Sequence, residues 1–262
     1  YNEFLGTKAG DSLVNGDYNV CIGDRAGQAN TSNHGSVHVG FGAGRWMNSD
    51  YDENDNVCIG YAACAGGTGD YVIMDKGDVI STYGAPVLDG QDNTIIGNEA
   101  GLVIHATDCT FIGSEAGRDN VGGTDNTFVG EEAGERNTEG DRNTFIGEDA
   151  GYLNTTGDSN TFIGRMAGRS NQTADGNTAV GNEAGYDLTT GPNNTGLGTG
   201  ALTDADIGLC NTAIGAHAGA NTEDADFNTF VGVQAGLDNN RTNHSDDANH
   251  NTYVGAFTGE TN

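Results

Sequence analysis

Proline, tryptophan and positive charge are scarce in this 262-residue chain, which has two Pro, one Trp, and 10 Lys and Arg against 38 Asp and Glu, for a formal net charge of −28. So little Pro excludes a proline-rich linker. A surface this acidic repels phosphate backbones and anionic headgroups unless a local basic patch intervenes, and the ten basic residues are scattered. No apolar run approaches the roughly 18 residues that span a bilayer. Neither nucleic-acid binding nor membrane insertion is expected. The chain opens at Tyr1 without Met, a basic n-region or an apolar h-region, which reads as a mature product or a fragment of something longer. At 35% apolar, the composition leans toward disorder, so order must come from how those residues and the 44 Gly are placed.

They are placed periodically. The unit Asn-Thr-Phe-Ile-Gly-x-x-Ala-Gly, as in Asn143 to Gly151 and Asn160 to Gly168, recurs 14 times, and from Gly113 to Gly232 its fifth-slot Gly returns every 17 residues. Counting slots from the first Asn, the fourth is aliphatic in every copy, which predicts core. The second is Thr or Val except at Glu3 and shares a strand face with the fourth, because side chains alternate with period two. The fifth-slot Gly, and the ninth-slot Gly missing only at Cys64 and Leu202, read as turn positions needing positive φ or close backbone approach. Eighth-slot Ala, replaced only at Thr258, predicts a tightly packed neighbour. First-slot Asn predicts an amide ladder between coils.

A 17-residue unit with two short strands and glycine corners cannot bury its own apolar residues, so copies must stack. The fold class expected is all-β, a parallel β-solenoid of about 14 coils and roughly 65 Å, with coils over 1–64 and 93–262 and an insertion over 65–92. In the insertion, Tyr71 to Met74, the turn Asp75 to Asp78, and Val79 to Tyr83 read as either a β-hairpin or a degenerate coil. As a loop on a rigid scaffold it is the first choice for partner contact, through Tyr71, Ile73, Lys76 and Tyr83.

The third slot lies on the strand face opposite the second and fourth, yet it is largely apolar, with Phe111, Phe128, Phe145 and Phe162 in succession. Either another chain covers that row, making a homo-oligomer with Phe rings and close-packed Ala133 and Ala150 at its interface, or a wider coil tucks both rows inside.

Chemistry-bearing constellations are few. Seventh-slot Glu99, Glu115, Glu132 and Asp149 and sixteenth-slot Asp141, Asp158 and Asp175 form acidic stripes, which either bind a divalent cation such as calcium or are screened by salt. The six His sit in different coils without a nucleophile partner, and His244 to Asp247 with His250 reads as a polar loop or a metal site. Five Cys is an odd count: free buried thiols are expected, with Cys58 and Cys64, on one coil, the pair worth testing. Acceptor sequons for N-glycosylation occur at Asn30, Asn154, Asn171, Asn193, Asn240 and Asn243. No catalytic residue is expected.

The repeat unit resembles the head repeats of trimeric autotransporter adhesins, to which Ser36-Val37-His38-Val39-Gly40 comes nearest, and is similar to repeats in tail fibres and bacterial surface fibres. The resemblance covers all but residues 65–92, although the period of 17 is longer than the adhesin head unit. It implies a trimeric, left-handed β-roll, extracellular or on a cell or virion surface. The function implied is a non-enzymatic fibre, adhesin segment or filament that partners itself and a cell-surface or matrix receptor. A phage tail-fibre shaft is the alternative. Ice binding by the stacked second-slot Thr is a third reading, opposed by their placement on a buried face, by an array one Thr wide, and by the charged surface.

Overall fold

The computed structural model describes residues 1–45, 55–66, 90–239 and 248–259, and the backbone of 71–75 and 78–83. The chain divides into two compact units, Tyr1–Asp125 and Asn126–Asn262. In the first, β1 (Glu3–Leu5), β2 (Val20–Ile22), β3 (Val37–Val39) and β4 (Val57–Ile59) pair in parallel; after β5 (Tyr71–Asp75) and β6 (Asp78–Tyr83), β7 (Thr94–Ile96) resumes the stack on β4 and is followed by β8 (Thr110–Ile112). In the second, β9 (Thr127–Val129), β10 (Thr144–Ile146), β11 (Thr161–Ile163), β12 (Thr178–Val180), β13 (Thr195–Leu197), β14 (Thr212–Ile214), β15 (Thr229–Val231) and β16 (Thr252–Val254) do the same. Each is a parallel β-solenoid, with equivalent slots in register. Phe145 pairs with Phe162, and Thr144 with Thr161.

Each coil carries one three-residue strand, not the two expected. The remaining walls are turns held by single inter-coil hydrogen bonds, with an isolated bridge at Asp204 and Asn221. β5 and β6 form the antiparallel hairpin foreseen in the insertion, with Tyr71 opposite Tyr83 and a register shift between Ile73 and Met74. Lys76 lies outside the described residues.

The larger correction concerns which strand face points inward. Phe111, Phe128, Phe145 and Phe162 are fully buried within a single chain, as are Ala133 and Ala150, so none of these six is available at an interface. The fourth-slot aliphatics expected to be core are outside, with Ile146 37% and Ile214 41% exposed. The wider coil enclosing both rows is also excluded. A three-residue strand alternates out, in, out, so a coil this narrow takes only its middle residue inside. The rings stack along the axis, Phe128 on Phe145 at 4.8 Å and Phe145 on Phe162 at 5.1 Å between centroids.

Ninth-slot Gly exists to admit those rings. A Cβ on Gly134 would come within 2.7 Å of the Phe128 ring, and one on Gly117 within 2.7 Å of Phe111. Where the third slot is small, the ninth is filled instead. Gly196 faces buried Leu202, and Cys58 faces Cys64, to which it is disulfide-bonded with 6.0 Å between Cα atoms. At Ala179 and Gly185 the space is taken by Leu188, and at Ala213 and Gly219 by Phe230 and Leu202. The core is therefore conserved in volume while its residues change, as close packing requires.

First-slot Asn does form a ladder, though from side chain to backbone. Asn143 Oδ1 accepts the Asn160 N–H at 2.8 Å, and Asn160 Oδ1 the Asn177 N–H at 2.9 Å, while Asn160 Nδ2 donates to the Ala174 carbonyl at 2.8 Å. Amide-to-amide bonds join first-slot Asn at some coils, as where Asn93 Nδ2 donates to Asn56 Oδ1 and Asn228 Nδ2 to Asn211 Oδ1, both at 3.1 Å, and recur in the twelfth slot, where Asn171 Nδ2 donates to Asn154 Oδ1 at 2.6 Å. Asn160→Ala is expected to orphan the buried Asn177 N–H, at about 1–3 kcal/mol, while the Ala174 carbonyl keeps the Asn171 Nδ2 donor at 3.2 Å, and to lower the urea midpoint without changing the m-value. A midpoint shift no larger than that of an exposed Thr→Ala would show that the ladder is incidental.

Candidate functional site

With the rings inside, the outward strand face becomes the most distinctive surface. In the second unit it presents eight Thr beside eight aliphatics, from Val129 and Ile146 through Val254, and no charged residue lies on any of the eight strands. The Thr are partly buried except at exposed Thr252, and Leu197 and Val254 are exposed at 36% and 68%. The first unit carries the same pattern with Val or Thr in the second slot after Glu3, and with Ile22 and Ile112 about as exposed as Ile146. Period-two alternation placed these residues together; the sequence contained no mark of which side of the strand met solvent.

The acidic stripes are not gathered into a cation site. Asp141 N–H donates to Asp158 Oδ1 and Asp158 N–H to Asp175 Oδ1, both at 2.8 Å, so sixteenth-slot carboxylates close a backbone ladder. The scarce arginines are set against the acids: Arg118 with Glu115 at 2.6 Å, Arg142 with Asp158 at 3.2 Å, Arg169 with Asp149 at 3.2 Å. Arg169 also lies over the Tyr152 ring at 4.8 Å. Glu99, Glu115, Glu132 and Asp149 sit at turn positions with φ near +55°, a strained conformation for these residue types. Among the described residues, no group of three or more His, Cys, Asp or Glu is placed to hold a metal ion.

An acidic quartet that the slot reading missed, Asp187, Asp204, Asp206 and Glu223, lines an open cleft of about 390 Å³ with Thr189. Burial first, then the charge of Asp187, a hydrogen bond with it, and the charge of Glu223, raise the Asp204 carboxyl above its ordinary range. Asp187 and Asp204 share one slot of the repeat and Asp206 and Glu223 another, each pair 17 residues apart, so each row is only two acids long and the quartet shows only when the two rows are seen side by side.

Three sequons fail on burial. The side chains of Asn30, Asn154 and Asn171 point into the coil and are at most 3% exposed, which excludes glycosylation of the folded chain. Asn193 is exposed, and Asn240 and Asn243 lie outside the described residues, as do His244 to Asp247.

His38 occupies the third slot between Cys21 and Cys58 in adjacent coils. Burial lowers its pKa to about 4 from an ordinary 6.5. The fold accepts the neutral ring, so this residue's contribution to stability is fully present above pH 6.5 and is lost as pH falls toward 4, over a range worth about 3 kcal/mol. Denaturation midpoints of the wild type relative to His38→Phe should therefore drop as the pH is lowered through this window. A constant difference would mean that His38 is already protonated, or is hydrated, in the folded chain.

No family model, curated protein or solved structure matches the chain. The geometry of the coil therefore carries the functional reading.

Proposed function

We propose that the chain is a non-enzymatic fibre or adhesin segment that assembles as a homotrimer of parallel chains, its outward strand faces turned toward a common axis. The observation supporting this is the charge-free column of half-exposed aliphatics and Thr on a chain otherwise dominated by acidic groups. Burying the remaining exposed part of one such aliphatic contributes about 1 kcal/mol. Eight in the second unit alone are of the size of the 4–15 kcal/mol that association costs. Cyclic symmetry lets each column meet its own copies and leaves no sticky face behind. The number three comes from the resemblance to trimeric autotransporter heads, and the extracellular setting rests on it as well. The coil stacks would supply stiffness and the excursions from them the contacts, whether on a bacterial surface or in a tail fibre.

Ice binding is the second reading, because one objection to it has fallen: the stacked Thr lie on the outward face, not in the core. The array remains one Thr wide, with aliphatics in its second rank. Light scattering coupled to size exclusion separates the two. Assembly predicts three times the 26.9 kDa chain mass, independent of concentration. A folded monomer overturns the fibre reading, and thermal hysteresis of that monomer would then support ice binding.

A further inference from the structure

The volume compensation that runs through the core fails at one coil. Cys21 is much smaller than the rings that fill the third slot elsewhere, yet the ninth slot opposite it is Gly27, whose added Cβ would lie 2.8 Å from Cys21 Sγ. Neither wall fills the space. A void of about 10 Å³ results, lined by Cys21, Asn30 and His38 together with Phe4 and Leu13. That is room for one water-sized particle.

The lining is as unusual as the volume. His38 is 1% exposed and Asn30 3%, yet neither ring nitrogen of His38 nor Asn30 Oδ1 finds a hydrogen-bond partner among the described residues. Orphaned buried polar atoms cost about 1–3 kcal/mol each; His38 Nδ1 lies against Gly44, but the other ring nitrogen and Asn30 Oδ1 belong to residues that line this one small space, which therefore calls for an occupant. Cys21, also lining it, is a free buried thiol.

We propose that Cys21, His38 and Asn30 form a binding site for a single soft monovalent cation of the copper(I) or silver(I) class. Thiolate and imidazole are the donors such ions prefer, and the amide oxygen completes a low-coordinate set. Charge decides between monovalent and divalent ions. On binding, a sulfur–metal bond forms as the S–H bond of Cys21 breaks and its proton leaves to solvent, with no change of oxidation state. One positive charge enters as one departs, and the buried site stays neutral. Zinc would leave an uncompensated charge, because no carboxylate lines the void. Without metal, burial holds the Cys21 thiol up at about 11, so cation and proton compete for the sulfur.

The test is anaerobic titration with copper(I) against a chromophoric chelator. It uses a Cys109→Asn, Cys210→Ser background, which removes the other two free thiols and leaves the Cys58–Cys64 bond in place. The expected result is one equivalent per chain, with affinity rising about tenfold per pH unit near neutrality as one proton is displaced. Binding should be lost in Cys21→Ser and in His38→Phe, the latter restoring the ring that other coils carry in this slot and so keeping the fold, as circular dichroism would verify. Protection of Cys21 from a small alkylating agent by copper(I) provides a second readout. Absence of the tight equivalent, its survival in both variants, affinity indifferent to pH, or an unprotected Cys21 would each overturn the site.

Discussion

Replacing Ile146 and Ile163 together by Asp is expected to turn a trimer into folded monomers. The two residues are register partners on adjacent strands and point outward, Ile146 37% exposed in the isolated chain. In a monomer the added carboxylates meet water. In a trimer, six of them converge on one axis, where each buried unpaired charge costs several kcal/mol. This outweighs the roughly 1 kcal/mol that each aliphatic supplies. Light scattering should show the mass fall to that of one chain while the circular dichroism of the coils is retained. An unchanged mass would place the assembly surface elsewhere on the coil. The same assay on Ala133→Leu is expected to show unfolding instead of clean dissociation, because Ala133 is inside the coil.

Phe145→Ala is expected to be the most destabilising single truncation in the second unit, at about 3–5 kcal/mol. The ring is fully buried and stacked on both sides, its planes within 5° of Phe128 and 8° of Phe162. Gly151 opposite has no side chain that can move into the gap, and a Cβ there would lie 2.5 Å from the ring. The Gly196 and Leu202 pair points to the rescue. Leu202 has φ +54° and Gly151 φ +61°, so Leu is tolerated at the equivalent backbone geometry. Phe145→Ala with Gly151→Leu should recover more than about 1 kcal/mol relative to the sum of the single changes. Chemical denaturation of the four proteins measures that coupling. If the two changes simply add, the slots do not share one space.

Much of this architecture is written in the repeat. The 17-residue period, the parallel register and the glycine corners all follow from where Asn, Thr, Gly and Ala recur, because an amphipathic unit too short for its own core must stack. Free thiols were the expectation for the cysteines, and the sequence went no further than marking Cys58 and Cys64, on one coil, as the pair able to bond, which they do. What the repeat misdirected was the side of the strand facing inward, because an aliphatic fourth slot in every copy pointed to the wrong face. Alternation sorts residues into two faces but does not name them, and both faces here are apolar: Phe145 on one, Ile146 on the other. The tertiary structure decided it through coil width. Three-residue strands leave space for one inward side chain, and the ninth-slot glycine across the coil makes that space large enough for a ring. The exchange of small and large residues between Gly196 and Leu202, and between Cys58 and Cys64, was the sequence trace of that arrangement. It became readable only once the two slots were known to face each other across one interior.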